Sequence, residues 1–162
     1  MEKQRYKRDL LYKLWGAFNV LSEQKHAIKF SYFVAKNKNI LQSEIEILEK
    51  LREPSSGYKE YDQKRVDMAQ RWADRDEQGN VRTENGSFVL EKNKVKFEKE
   101  FTALKNKYKN KIDEFEKQIK DFKNMLEDKT EFYGHKIKVE NLPAEIEPQL
   151  IELFMATGLL DD

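Results

Sequence analysis

The sequence has no cysteine. A disulfide framework, a thiolate metal site and a cysteine nucleophile are therefore excluded. Histidine occurs only at His26 and His135. Neither stands at metal-ligand spacing from the other or from a carboxylate pair of known motif type, so both read as structural. Glycine and proline are scarce, with 6 and 3 among 162 residues. There is no Gly-rich phosphate loop and no nucleophile elbow, and none of Ser22, Ser31, Ser43, Ser55, Ser56 and Ser87 lies in a catalytic motif. No window approaches the ~20 apolar residues of a membrane span. The charged start Met1-Glu2-Lys3-Gln4-Arg5 leads into no signal-peptide run. Neither sign of charge dominates: 31 Lys and Arg face 30 Asp and Glu, a net charge of +1. That balance argues against a nucleic-acid binder working by bulk electrostatics. Together the absences predict a non-enzymatic protein with no cofactor, no metal and no membrane attachment, made in the cytoplasm.

What is abundant is charge, at 38%, and aromatic side chains, at 12%. Charge so far above the usual ~25% of globular domains, with many aromatics, describes long amphipathic helices with thin cores. The clearest stripe is Phe97, Phe101, Leu104, Tyr108, Ile112, Phe115, Ile119, Phe122 and Leu126, spaced by threes and fours. It predicts one helix from about residue 93 to 128, a rod whose seam alone rises roughly 45 Å and needs partner helices. The expected fold is mainly α: a single elongated antiparallel helical bundle or coiled coil over 1–162. It carries one β-hairpin at about 81–90 and one further strand at about 135–140. Its parts are 1–52, 58–130 and 131–162.

In chain order, Leu10, Leu14, Ala17 and Leu21 share one helical face, and Leu11, Trp15 and Phe18 crowd a neighbouring one. So wide an apolar arc is core, or an oligomer contact built on Trp15 and Phe18. Ser22 is placed to cap the next helix, about 26–52, with its seam at Phe30, Val34, Asn37, Leu41, Ile45 and Leu48, widened by Phe33 and Ile40. Asn37 in that seam reads as a register-fixing residue. Glu53-Pro54-Ser55-Ser56-Gly57 is a stop. A third helix, about 58–75, has Tyr58, Tyr61, Arg65, Met68 and Trp72 at heptad spacing, and Gly79 ends the turn that follows it. Asn85-Gly86 marks a two-residue hairpin. Its register sets Thr83 opposite Phe88 and Val81 opposite Leu90, with Val81, Phe88 and Leu90 resting on helix ends and Arg82 and Val89 on the other face. His135, Ile137 and Val139 alternate with Lys136, Lys138 and Glu140 as a half-buried strand. Its mate is sought in the hairpin, a second copy or a partner's edge. The rod would hold it ~50 Å from the hairpin. Pro148 opens a last helix, Gly158 closes it, and this greasy tail should dock on the Leu10–Leu21 helix.

Charged clusters were weighed for chemistry. Glu44, Glu46 and Glu49 lack the histidines of a di-metal bundle site. Asp74, Asp76 and Glu77 with Gly79 and Asn80 lack the register of a calcium loop. Lys92, Lys94, Lys96, Lys99, Lys105, Lys107, Lys109 and Lys111 form a face that is either solvated or phosphate-tracking. The candidate partner-binding residues are Trp15, Phe18, Tyr58, Tyr61, Phe88, Ile137 and Val139.

The order of segments resembles a family of short helical proteins of tailed bacteriophages and prophages. The residues that carry the likeness are Lys29-Phe30-Ser31-Tyr32-Phe33-Val34-Ala35-Lys36-Asn37-Lys38, Glu44-Ile45, Tyr61 with Arg65, Ala73-Asp74-Arg75-Asp76-Glu77-Gln78-Gly79-Asn80, and Ile137-Lys138-Val139-Glu140-Asn141-Leu142-Pro143. The resemblance brings no assigned reaction, cofactor or site. It implies an accessory role in virion assembly or on a host protein, in a bacterial cytoplasm or on the virion, through a protein partner or self-association. The helix–hairpin–helix arrangement also resembles prefoldin-type chaperone subunits, which implies a holdase. A nucleic-acid accessory factor using the Lys92–Lys111 face is the other alternative.

Overall fold

The densest apolar run, residues 10–21, lies within the first helix. In chain order the elements are β1 (Arg5–Lys7), α1 (Arg8–Ser22), α2 (Ile28–Arg52), α3 (Ser56–Trp72), β2 (Thr83–Glu84), β3 (Ser87–Phe88), α4 (Lys94–Lys107), α5 (Lys109–Glu127), β4 (Lys129–Glu131), β5 (Ile137–Lys138), a 3-10 turn (Val139–Asn141), α6 (Pro148–Ala156) and β6 (Leu160–Asp161). The structure, a computed structural model, describes residues 4–161. The fold is mainly α with a β-hairpin, as the sequence predicts. The chain forms two compact units: Met1–Arg52 with Lys120–Asp162, and Glu53–Ile119. Helix α5 supplies residues to both.

In the first unit α1 and α2 pack together. Leu11, Leu14, Phe18 and Leu21 are buried from α1, and Phe30, Phe33, Val34, Asn37, Leu41, Ile45 and Leu48 from α2. The seam read for α2 is thus the buried one, except that Ile40 stays on the surface. Ser22 does not cap α2. It ends α1, where its Oγ donates to Asn19 O at 2.8 Å and accepts from Lys38 Nζ at 3.1 Å. Helix α6 docks on this pair through Phe154, whose ring lies 5.9 Å from that of Phe18 and 5.2 Å from that of Phe33. Fully burying a side chain of this size contributes about 1.5–3 kcal/mol. Pro148 opens α6 at its first turn. At its end Gly158 N–H donates to Met155 O and Leu159 N–H to Phe154 O, a Schellman motif with Gly158 at φ +65°.

That motif turns the chain back so that β6 runs parallel to β5, pairing Ile137 with Leu160 and Lys138 with Asp161. Parallel strands need a crossover, and α6 is the crossover. Within the chain the mate of the alternating strand is therefore the C-terminal segment and not the hairpin. The sequence shows no strand at β1 or β4, yet these pair antiparallel, Arg5 with Glu131 and Lys7 with Lys129.

In the second unit, Ser55 Oγ accepts the N–H of Tyr58 at 3.3 Å and caps α3. Helices α4 and α5 run back along α3. Asn93 Nδ2 donates to Trp72 O, the rings of Tyr61 and Tyr108 lie 5.8 Å apart, and Gln118 Nε2 donates to Glu53 O. The stripe from Phe97 to Leu126 is not one rod. It breaks at Tyr108, where φ is −105° and ψ 15°. The tyrosine at the break is buried, and its hydroxyl donates to Glu60 Oε1 at 2.6 Å and accepts from Lys64 Nζ at 2.8 Å. The ladder resumes at once, with Ile112 N–H donating to Tyr108 O at 3.0 Å.

The hairpin has the expected turn, with Asn85 at φ 50° and Gly86 at φ 77°, and Thr83 opposite Phe88. Val81 does not face Leu90, however. Asp74 inserts its backbone between the strands, donating to Val89 O at 2.7 Å and accepting from Arg82 N–H at 2.8 Å. Val81 bridges Arg75 instead. Val89, not Phe88 or Leu90, is the buried residue.

Candidate functional site

The first unit carries a cleft of about 430 Å³ lined by Lys29, Tyr32, His135, Lys136, Lys138 and Glu140, among others. Its two walls are far apart in sequence. Lys29 stands in the first turn of α2, and Tyr32 follows one turn on. The opposite wall is the segment from β4 to the 3-10 turn, held in place by three devices.

First, Gly134 passes over the core so closely that a Cβ there would stand 2.0 Å from Leu159 Cδ2. Second, the buried Asn37 side chain pairs with the backbone of His135. His135 N–H donates to Asn37 Oδ1 at 2.7 Å, and Asn37 Nδ2 donates to His135 O at 2.8 Å. The same Nδ2 donates to Phe33 O at 3.0 Å. The polar residue in the α2 seam therefore positions a distant strand. Third, Ile137 N–H donates to Leu159 O at 2.9 Å. Ile137 goes inward, and Lys136 and Lys138 are exposed.

The cleft gathers cations. Lys136 Nζ lies 3.6 Å from Asp161 Oδ1. Lys29 and Lys138 have no ion-pair partner among the described residues. The His135 ring meets Tyr32 edge-on at 5.4 Å. Tyr32, 57% exposed, lines the cleft, and the chain neighbours of Lys29 and Lys138, Ile28 and Val139, are exposed at 88% and 56%. Such a surface attracts anionic groups and offers greasy area next to them. No hydrogen-bonded pair of nucleophile and base lies among its lining residues.

A second cavity of about 240 Å³ in the same unit is lined by Ala17, Leu21, His26, Ile146 and Leu150, among others. The Nε2 atom of His26 is buried and has no hydrogen-bond partner among the described residues. Its ring packs edge-on against Phe30 at 4.9 Å.

The seven candidate partner-binding residues divide between the units, with Trp15, Phe18, Ile137 and Val139 in the first and Tyr58, Tyr61 and Phe88 in the second. Phe18, Tyr61 and Ile137 are buried. Burial removes them from any surface, and the core reading of the first helix accounts for Phe18. The Tyr58 ring lies 3.9 Å from that of Phe115 and seals α3 to α5. Trp15 is half-buried, with Lys38 Nζ 5.7 Å from its ring. Phe88 is half-buried in the hairpin. Val139 is exposed and lies in sequence between the cleft residues Lys138 and Glu140.

Charged clusters are absorbed locally. Glu44 accepts from Arg8 at 2.5 Å, and Glu49 accepts from Tyr12 and Arg52. Asp76 closes its own turn, accepting from the N–H groups of Gln78 at 2.9 Å and Asn80 at 2.8 Å. Those bonds, the Asn80 N–H foremost, hold its carboxyl below the ordinary range. On the lysine face, Lys94 pairs with Glu98, Lys109 with Asp113 and Lys111 with Glu114. Lys96 lies over Trp72, Lys105 over Phe101 and Lys107 over Tyr108. Among the described residues no three His, Asp or Glu side chains are grouped to hold a metal ion, and no helix is long and apolar enough to cross a membrane. No protein-family model, curated protein or solved structure matches the chain.

The cleft residues Lys29, Tyr32, Lys136 and Lys138 escaped the choice of sites made from sequence. Lys136 and Lys138 are visible as the polar positions of an alternating strand. Nothing local connects them to the outer face of α2.

Proposed function

We propose that this is a non-enzymatic interaction protein of phage origin, acting in virion assembly or on a host protein in the bacterial cytoplasm. The observation that carries the reading is the cleft of the first unit, where exposed Tyr32 stands with Lys29 and Lys138, which have no carboxylate partner among the described residues and whose chain neighbours Ile28 and Val139 are exposed. Exposed apolar side chains beside unpaired charge cost solubility and are rewarded by a partner. The family likeness of the sequence supports the phage setting. The nucleic-acid reading is weaker, because six of the eight lysines of the Lys92–Lys111 face, all but Lys92 and Lys99, are engaged by their own neighbours. Sizing by light scattering, followed by pull-down from a bacterial lysate, tests the proposal. The expected result is a complex with a discrete protein or a defined self-association. A compact monomer that captures nothing, even with phage structural proteins present, overturns it.

A further inference from the structure

We infer that the cleft between the first turn of α2 and strand β5 docks an extended, acidic segment of a partner protein that also carries apolar side chains. This inference rests on the interaction reading above and gives it a site. The charge balance points to the occupant. Lys29, Lys136 and Lys138 stand against the single lining carboxylate of Glu140. The nearby Asp161 engages Lys136, which leaves Lys29 and Lys138 to meet incoming carboxylates.

The apolar rim distinguishes a peptide from a simple polyanion. Ile28 and Tyr32 are one turn apart on α2 and share a face, and Val139 follows Lys138 directly. A nucleic-acid strand has phosphates for the lysines but nothing for Ile28 and Val139. The strand geometry suits an extended segment. Ile137 N–H is directed to β6, so alternation along β5 turns the backbone N–H of Lys138 to the opposite edge. Among the described residues no strand pairs with that edge of β5. An added strand there would place alternate side chains toward the cleft. The wall is rigid before binding, because Asn37 and Leu159 already fix the backbone at His135 and Ile137. Little ordering is left to oppose association.

Fluorescence anisotropy on the full chain tests this, with a labelled glutamate-rich peptide bearing two leucines as the probe. Its leucine-free counterpart, a lysine-for-glutamate counterpart and a thymidine oligonucleotide of equal length are the comparisons. The glutamate–leucine peptide should bind saturably at physiological salt and tighter than all three. Lys29→Glu with Lys138→Glu should weaken it by about tenfold or more, the cost of two reversed charges at a contact. Tyr32→Ser should abolish its advantage over the leucine-free peptide. The milder Lys29→Gln with Lys138→Gln, which keeps surface polarity, should give an intermediate loss with an unchanged melting curve. Absence of saturable binding overturns the inference, as does equal binding of the oligonucleotide or binding indifferent to the charge reversals. If the pull-down still captures its partner through the Lys29→Glu, Lys138→Glu chain, the interaction reading stands and the cleft is not its site.

Discussion

Replacing Asn37 by Ala should be among the most damaging single changes to the first unit, although it deletes only a small polar group. Three hydrogen bonds disappear, to His135 N–H, His135 O and Phe33 O. The backbone groups of His135 then stay half-buried without partners. One unsatisfied group costs about 1–3 kcal/mol, and the vacated volume adds a smaller cavity term, so a total of about 2–4 kcal/mol is expected. Trp15 lies in the first unit and Trp72 in the second. Urea unfolding followed by fluorescence in a Trp72→Phe background therefore reports on the unit concerned. Asn37→Asp sharpens the test. As a carboxylate, Asp at 37 accepts from His135 N–H but turns its second oxygen on His135 O with no hydrogen between them. Protonated, it restores the bond to His135 O through its single O–H and keeps the acceptor for His135 N–H, though not the bond to Phe33 O. Its folded pKa is therefore raised, and its stabilising contribution is present at low pH and lost as pH rises through that value. The deficit of Asn37→Asp relative to the parent should shrink as pH falls from neutral toward about 4. A loss for Asn37→Ala within about 0.5 kcal/mol, the size of an ordinary surface change, would refute the positioning role.

Gly158→Ala places a side chain at φ +65° with a Cβ 2.9 Å from Tyr6 Oη. It should cost about 1–2 kcal/mol in the same unfolding experiment, and an unchanged midpoint would count against the Schellman turn. Tyr108→Phe deletes the hydroxyl bonded to Glu60 and Lys64. It should cost the second unit about 1 kcal/mol, read by Trp72 fluorescence in a Trp15→Phe chain. Asp76 titrates below the ordinary aspartate value because its carboxylate accepts from the Asn80 and Gln78 amides. The turn it closes is therefore fully formed above the unfolded-state pKa and loosens as pH falls through the lower folded value. A carboxyl titration by NMR with an ordinary or higher midpoint would contradict those hydrogen bonds.

The helices and the hairpin turn were legible because their signals are local and repeated. The α2 seam needs only threes and fours, Asn85-Gly86 needs only positive φ, and Pro148 and Gly158 bracket α6 by their own geometry. The break at Tyr108 was invisible for the opposite reason. No glycine or proline marks it, and the residue that stands there, Tyr108, is one of the stripe's own apolar positions, with its hydroxyl on Glu60 of another helix. β1 and β4 are three-residue strands rich in charge. Each exists only because the other is present. The hairpin face was misjudged because Asp74, outside the hairpin, supplies backbone bonds that separate Val81 from Leu90. The cleft was hidden in the same way. Asn37 reads from sequence as a residue that fixes the register of a helical seam, whereas its side chain pairs with the backbone of the distant His135, and that contact assembles Lys29, Lys136 and Lys138 on one surface.

The most direct test of the docking surface is site-specific photocrosslinking in bacterial cells, with a photoreactive phenylalanine analogue in place of Tyr32 and, as control, of Gln42 on the exposed face of α2. The account predicts a discrete adduct at position 32, absent at 42 and lost when Lys29 and Lys138 are changed to Glu, with the crosslinked peptide rich in Asp and Glu. Equal adducts at both positions, or an adduct that survives the charge reversals, would contradict it.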